Sequence, residues 1–132
     1  MTRVLLAVNG TLMRGLELNA ALVRTGATFV RESRTVPEYR IWSIGDRHPA
    51  MIRVASGGTA VAVEVWDLTA EGLVSTLLNE PPGLAIGKVR LEDGTEMLGV
   101  LGEPYLVEGQ VEITTHGGWR AYIAAKGKPA VS

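Results

Sequence analysis

Sixteen glycines and six prolines are distributed along a chain of 132 residues. Together they make up about 17% of it, against a usual 12% or so, so the backbone turns often and its elements are short. The length suits one ordinary domain. It is enough to bury a core without staples, since a chain of this size covers on the order of 65–70% of the surface that its unfolded form exposes.

Between those breaks the apolar pattern changes period. Arg3–Asn9 is a short continuous apolar run and predicts a buried strand. Gly10 to Gly15 follows as a loop framed by glycines. Leu16–Arg24 predicts a helix, with Leu18, Leu22 and Val23 on one face and with Arg24 and Gly26 as stop signals. From Ala27 the period is two. Strands are expected over 27–35, 39–44, 51–55 and 59–66, the last with Val61, Val63 and Val65 on one face and Ala60, Ala62, Glu64 and Trp66 on the other. Thr69 caps a second helix over 70–78, Glu71 suits its first turn, and Pro81-Pro82 stops it. Residues 85–91 and 96–101 flank Glu92-Asp93-Gly94-Thr95, a strong hairpin signal. Final strands are expected at 111–114 and 119–124, with 126–132 as a flexible tail to a single domain over 1–125. About seven strands and two helices without strict alternation predict an α+β domain, mostly antiparallel and barrel-like, rather than a doubly wound sheet.

Thirteen basic and fourteen acidic side chains leave a net charge of −1, without the surplus of positive charge that a nucleic-acid partner asks for. The absence of cysteine excludes disulfides, thiolate nucleophiles and zinc–thiolate sites. His48 and His116 stand far apart with no ligand spacing, so neither a metal nor a cofactor is expected. There is no Gly-x-Ser-x-Gly elbow. Gly10 and Gly15 are followed by Leu16-Glu17 rather than by the Lys-Ser/Thr of a nucleotide loop. No apolar run reaches the ~18–20 residues of a membrane span, and Val4–Val8 is too short for the core of a signal peptide. No membrane partner is expected, and the cytoplasm is the expected compartment.

Four places can carry chemistry. A strand ending in Asn9-Gly10-Thr11 and feeding a helix exposes backbone N–H groups that suit a small anion, and Arg14 can add a bidentate charge; equally, the glycines can serve only a tight connection. Glu64 lies inside an apolar strand, either as a carboxyl lining a cavity mouth or as an outer acid beside Trp66. Glu80 precedes two stiffening prolines, either as a held acid/base group or as a solvated loop acid. His116 opens Gly117-Gly118-Trp119, either as a ligand contact or as a neighbour of a core strand.

The segment Val8-Asn9-Gly10-Thr11-Leu12-Met13-Arg14-Gly15 resembles the Tyr-Gly-Thr/Ser-Leu loop of the gamma-glutamylcyclotransferase superfamily. Three further pieces are similar to the C-terminal domain of allophanate hydrolase: Ala62–Trp66, Gly87-x-Val89-x-Leu91-x-Asp93-Gly94, and Glu108-Gly109 through Ile113-Thr114 to Gly117-Gly118-Trp119-Arg120-Ala121-Tyr122. The matching pieces run from about Val4 to Ala124. The resemblance implies a small mixed β-barrel whose first-strand loop binds a substrate carboxylate, with Asn9, Gly10, Thr11 and Leu12 as that pocket here. It also implies a catalytic glutamate after the second helix, usually within Leu-Asp-x-x-Glu-Gly. Leu77-Leu78-Asn79-Glu80-Pro81-Pro82-Gly83 puts Glu80 in that place. Two positions depart from the pattern. The aromatic before Gly-Thr is Asn9, and the loop histidine of the allophanate hydrolase domain is replaced by Leu12. The serine–serine–lysine machinery of an amidase is absent as well.

Three functional expectations follow. The first is a cyclotransferase-like enzyme in which the first-strand loop holds a carboxylate and Glu80 is the general acid/base, with Arg14, Glu64 and His116 as further substrate contacts. The second is a domain that processes or binds a small urea-derived carbamate compound beside a separate amidase. The third is a non-catalytic assembly module that pairs as a homodimer, for which a mean hydropathy of +0.17 is the motive.

Overall fold

The computed structural model describes residues 2–127. Its elements are β1 (Arg3–Val8), α1 (Asn19–Arg24), β2 (Thr28–Arg34), β3 (Tyr39–Ile44), β4 (His48–Arg53), β5 (Ala62–Thr69), α2 (Ala70–Leu78), β6 (Leu84–Arg90), β7 (Glu96–Gly102), β8 (Val111–Glu112) and α3 (Trp119–Gly127). Two 3-10 turns, Pro104–Val107 and Thr114–His116, flank β8.

Period-two alternation builds the centre. Val61, Val63 and Val65 point to one side and are fully or nearly fully buried, yet Glu64 and Trp66 on the other side are buried as well. A strand covered on both faces belongs inside a sheet. β5 indeed lies between β2 and β1 in a five-stranded sheet of order β2-β5-β1-β7-β6. β5 runs antiparallel to β1 with Leu6 opposite Trp66, and among the described residues only β1 and β7 pair in parallel, with Leu6 opposite Leu98. The second sheet, β4-β3-β8, is antiparallel throughout. Tyr39 at the start of β3 also makes an isolated antiparallel bridge to Thr59, just before β5. Leu6, Val8, Ile41, Met51, Leu68 and Leu91 fill the shared core.

The fold is α+β with mixed, mostly antiparallel sheets, and the barrel is only approached. The outer strands of the large sheet curl until they touch at one end, where Val36 N–H donates to Arg90 O at 3.0 Å and Glu92 N–H to Arg34 O at 2.9 Å. Among the described residues, no continuous ladder closes the ring. Among the described residues, no helix is long and apolar enough to cross a membrane.

The helix ends follow local chemistry. Thr69 Oγ1 accepts from Gly72 N–H at 2.9 Å and caps α2. In α1 the first helical residue is Asn19 rather than Leu16, because residues 10–18 form successive turns instead. Met13 N–H donates to Gly10 O, Leu16 N–H to Met13 O and Leu18 N–H to Thr11 O.

The segment 119–124 is a helix, not a strand. Gly117 adopts φ +79° and ends the preceding 3-10 turn, a conformation that glycine takes without strain. The chain then turns helical, and Tyr122 N–H donates to Gly118 O at 3.2 Å. Alternation would put Trp119, Ala121 and Ile123 on one face, whereas Trp119, Tyr122 and Ile123 form an i, i+3, i+4 stripe, and burial of that stripe decides. Lys126 and Gly127, expected in the tail, are part of α3, and Lys126 Nζ lies 2.5 Å from Asp46 Oδ2. Residues 128–132 of that tail lie outside the described residues.

Candidate functional site

β1 ends in Val8 and Asn9, both buried. Asn9 Nδ2 donates to Val100 O at 2.9 Å, fastening the strand end to β7. Leu12 and Met13 then send their side chains into the core, and Asn19 Nδ2 holds Leu12 O at 2.8 Å. The loop is thus anchored by its side chains. Among the described residues, the N–H groups of Gly10, Thr11 and Leu12 have no hydrogen-bond partner. Gly10 packs directly on Pro49: a Cβ there would lie 2.6 Å from Pro49 Cδ.

α2 ends at Leu78, and Glu80 N–H closes the last turn on Leu77 O at 3.2 Å. Pro81 and Pro82 then fix the exit. Glu80 is half-buried and shares a narrow cleft with residues Asn9–Leu12, His48 and Pro49. The cleft encloses ≈ 20 Å³, room for about one water molecule. Burial alone pushes the Glu80 carboxyl up to about 7, with no cation or hydrogen-bond donor to offset it.

The other expected contacts lie elsewhere. Glu64 is buried at the base of a groove of ≈ 430 Å³ that has no lining residue in common with the Glu80 cleft. Burial pushes its carboxyl up, but the backbone N–H of Arg14, the Trp66 indole and the Arg14 guanidinium outweigh that and hold it below the ordinary value. The distances are 2.9 Å from Arg14 N–H, 3.2 Å from Trp66 Nε1 and 3.2 Å from Arg14 Nε, with Arg120 Nη2 at 3.0 Å. Glu64 therefore ties the first-strand loop, β5 and α3 together. Arg14 also pairs with Glu32 at 2.7 Å and lies over the Phe29 ring, so its charge is already matched there and it does not line the cleft. His116 lines the Glu64 groove and meets the Tyr122 ring edge-on at 5.2 Å.

The structure thus brings Asn9, Gly10, Thr11, Leu12 and Glu80 to one cleft, and separates Arg14, Glu64 and His116 from it. Sequence reasoning missed His48. It lies next to the Gly45-Asp46 turn, but only the pairing of Ile44 with His48 across the hairpin turns it toward the first-strand loop. Among the described residues, no group of three His, Asp or Glu side chains is placed to hold a metal ion.

The same chain outline recurs in known proteins. A structure of c4763, a uropathogenic E. coli-specific protein, is 60% identical, with a TM-score of 0.92 over 94% of this chain and 98% of that one. The allophanate hydrolase of Kluyveromyces lactis is 28% identical, with a TM-score of 0.89 over 96% of this chain but 22% of the other. The urea amidolyase of Saccharomyces cerevisiae is 31% identical over 92% of this chain, which spans only 7% of that relative. A gamma-glutamyl cyclotransferase, 16% identical at a TM-score of 0.52, shares the fold alone. The family model of the allophanate hydrolase C-terminal domain matches residues 4–124, from the first strand of the large sheet into the last helix, and the chain belongs to that family.

Proposed function

We propose that the cleft between the first-strand loop and Glu80 takes a small urea-derived molecule carrying a carboxylate and a carbamate or amide nitrogen, and that Glu80 moves a proton at that nitrogen. The carrying observation is a shared lining: Gly10, Thr11 and Leu12, whose backbone N–H groups have no hydrogen-bond partner among the described residues, line the same cleft as a carboxyl that burial pushes up to about 7. A carboxylate seated on Gly10–Leu12 would bring negative charge toward Glu80 and favour its acid form further. Glu80 then has a proton to give at the nitrogen. For a carbamate, protonation makes the nitrogen a leaving group. The C–N bond breaks with its electron pair going to nitrogen, carbon dioxide departs, and Glu80 is left as carboxylate to recover a proton from water.

The cyclotransferase reaction uses the same groups differently. Glu80 would accept a proton from an attacking amine and return it to the departing nitrogen. A gamma-glutamyl compound is much the larger substrate; the cleft has room for about one water, so either substrate would extend out of it, and the smaller urea-derived one would leave less outside. The carbamate reading also fits the family, whose longer members include an allophanate hydrolase and a urea amidolyase. An amidase that releases such a compound is the fitting partner. The assembly reading has less behind it: Val74, Leu77 and Leu78 lie exposed on α2, but nothing in the structure shows what would cover them.

The test follows the backbone amides of Gly10, Thr11 and Leu12 by ¹⁵N NMR during titration with small carboxylates, carbamate analogues and gamma-glutamyl dipeptides. Shifts confined to the loop with the small acids support the proposal. Shifts only with the dipeptides transfer the site to the cyclotransferase reading, and no shift with any of them rejects it.

A further inference from the structure

Each backbone carbonyl from Gly10 to Arg14 accepts a hydrogen bond. Gly10 O accepts from Met13 N–H at 3.0 Å, Thr11 O from Leu18 N–H at 2.9 Å, Leu12 O from Asn19 Nδ2 at 2.8 Å and Met13 O from Leu16 N–H at 3.1 Å. Arg14 O accepts from Arg120 Nη2 at 2.9 Å. In a planar trans peptide the N–H of one residue points away from the carbonyl of the residue before it. The bonds to Gly10 O and Thr11 O therefore fix the directions of the Thr11 and Leu12 N–H groups.

Leu12 and Met13 pack this run on the core, and polar bonds hold its two ends. At the front, Asn9 Nδ2 donates to Val100 O. At the back, two side chains remote in sequence meet on Arg14. Glu64 Oε1 accepts from Arg14 N–H at 2.9 Å, and Arg120 Nη2 donates both to Arg14 O at 2.9 Å and to Glu64 Oε2 at 3.0 Å. One ion pair thus grips both polar groups of a single backbone residue. Neither Glu64 nor Arg120 lines the Glu80 cleft. Glu64 is only 2% exposed. A buried ion pair is a poor device for stability, since well-packed apolar side chains of similar volume are often as stable or more so. What this pair supplies is direction, through two charge-assisted bonds on one residue of the loop.

We infer that Glu64 and Arg120 are positioning residues: by gripping Arg14 they hold the loop in the shape that aligns the N–H groups of Gly10–Leu12, so that the affinity of the cleft for a carboxylate depends on side chains outside it. An array of donors set in advance binds more tightly, because less ordering is left for the ligand to impose. The inference rests on the cleft reading above and names what presets its donors.

The experiment titrates wild type, Arg120→Ala, Arg120→Lys and Glu64→Gln with acetate and with malonate, following the Gly10–Leu12 amides. Arg120 is exposed, and the same spectra report whether each variant is folded. Arg31→Ala is the control, since Arg31 also makes a partly exposed ion pair, with Asp93 at 3.1 Å, but no bond to the loop. Urea unfolding gives the stability of each variant, and a ¹³C titration of the Glu80 carboxyl shows whether the cleft keeps its burial. Arg120→Ala is expected to bind the acids about tenfold more weakly than wild type, with the Glu80 midpoint unmoved. Arg120→Lys, which lacks the guanidinium fork, and Glu64→Gln, which keeps an oxygen for Arg14 N–H but not the charge that holds Arg120, are expected to fall between the two. Arg31→Ala is expected to stay within about twofold of wild type. An Arg120→Ala protein that is less stable yet binds within about twofold of wild type overturns the inference while the cleft reading stands, because the pair is then a structural tie alone. A loss of affinity that Arg31→Ala matches, or one accompanied by a fall of the Glu80 midpoint, overturns it as well. If neither acid shifts the loop amides of wild type, the cleft reading fails and takes the inference with it.

Discussion

Glu80 holds its proton more tightly in the fold than it would in the unfolded chain, and this has a stability consequence with a definite sign. Between the ordinary value of 4.5 and the folded value of about 7, the native state binds more protons than the unfolded one, so stability falls as pH rises through that window. Below it the native carboxyl is neutral and costs nothing. Above it the chain carries the full penalty, on the order of 2 kcal/mol after discounting for the part that water reaches. Glu80→Gln is expected to be more stable than wild type above pH 7 and to lose that advantage below pH 4.5, measured by urea unfolding across pH. Glu64 behaves in the opposite way. Its carboxylate is buried against two guanidinium groups, each of which is about half exposed. Removing one partner of a fully buried pair costs about 3–5 kcal/mol, but water can reach Arg14 and Arg120 once Glu64 is gone. Glu64→Ala is therefore expected to cost roughly 1–3 kcal/mol in urea unfolding, without moving the pKa of Glu80.

At the scale of elements, the cleft depends on contacts that tolerate no added volume. Gly10→Ala places a methyl group against the rigid Pro49 ring, and overpacking of that kind costs about 1–3 kcal/mol. The variant is expected to have a lower Tm and to show weaker loop shifts with every carboxylate. The β3–β4 hairpin has its own pH signature. Hydrogen bonds from Lys126, Ser43 and Tyr122 hold the Asp46 carboxyl well below its ordinary 3.8. The stabilisation it gives is present above that value and is lost as pH falls through the folded one. Thermal melts of wild type and Asp46→Asn are expected to differ near neutrality and to converge in strong acid. The elements themselves were legible in unequal measure. β5, α2 and the β6–β7 hairpin announce themselves through period-two valines, a Thr cap and Asp93-Gly94, all of them local signals. α3 does not, because alternation would pair Trp119 with Ala121 and a helical stripe pairs it with Tyr122, and only packing against the core chooses between them.

For the whole molecule, the decisive facts are pairings between segments far apart in sequence. The parallel pairing of β1 with β7 and the insertion of β5 between β2 and β1 fold the large sheet so that the end of β1, the exit of α2 and the β3–β4 tip converge. The sequence marks the loop and Glu80, through the resemblance as much as through local chemistry. It does not mark His48, whose position depends on hairpin register and on how one sheet lies against the other. Nor does it show that Glu64 is held by Arg14 and Arg120, since the second of these arrives from a helix read as a strand. What unites these parts is the claim that a desolvated acid shares a cleft with an anion-binding loop. The most direct measurement is a ¹³C NMR titration of the Glu80 side-chain carboxyl, with and without a small carboxylate that shifts the Gly10–Leu12 amides. The account predicts a midpoint near pH 7 that moves higher when the loop is occupied; a midpoint near 4.5, unmoved by the ligand, would contradict it.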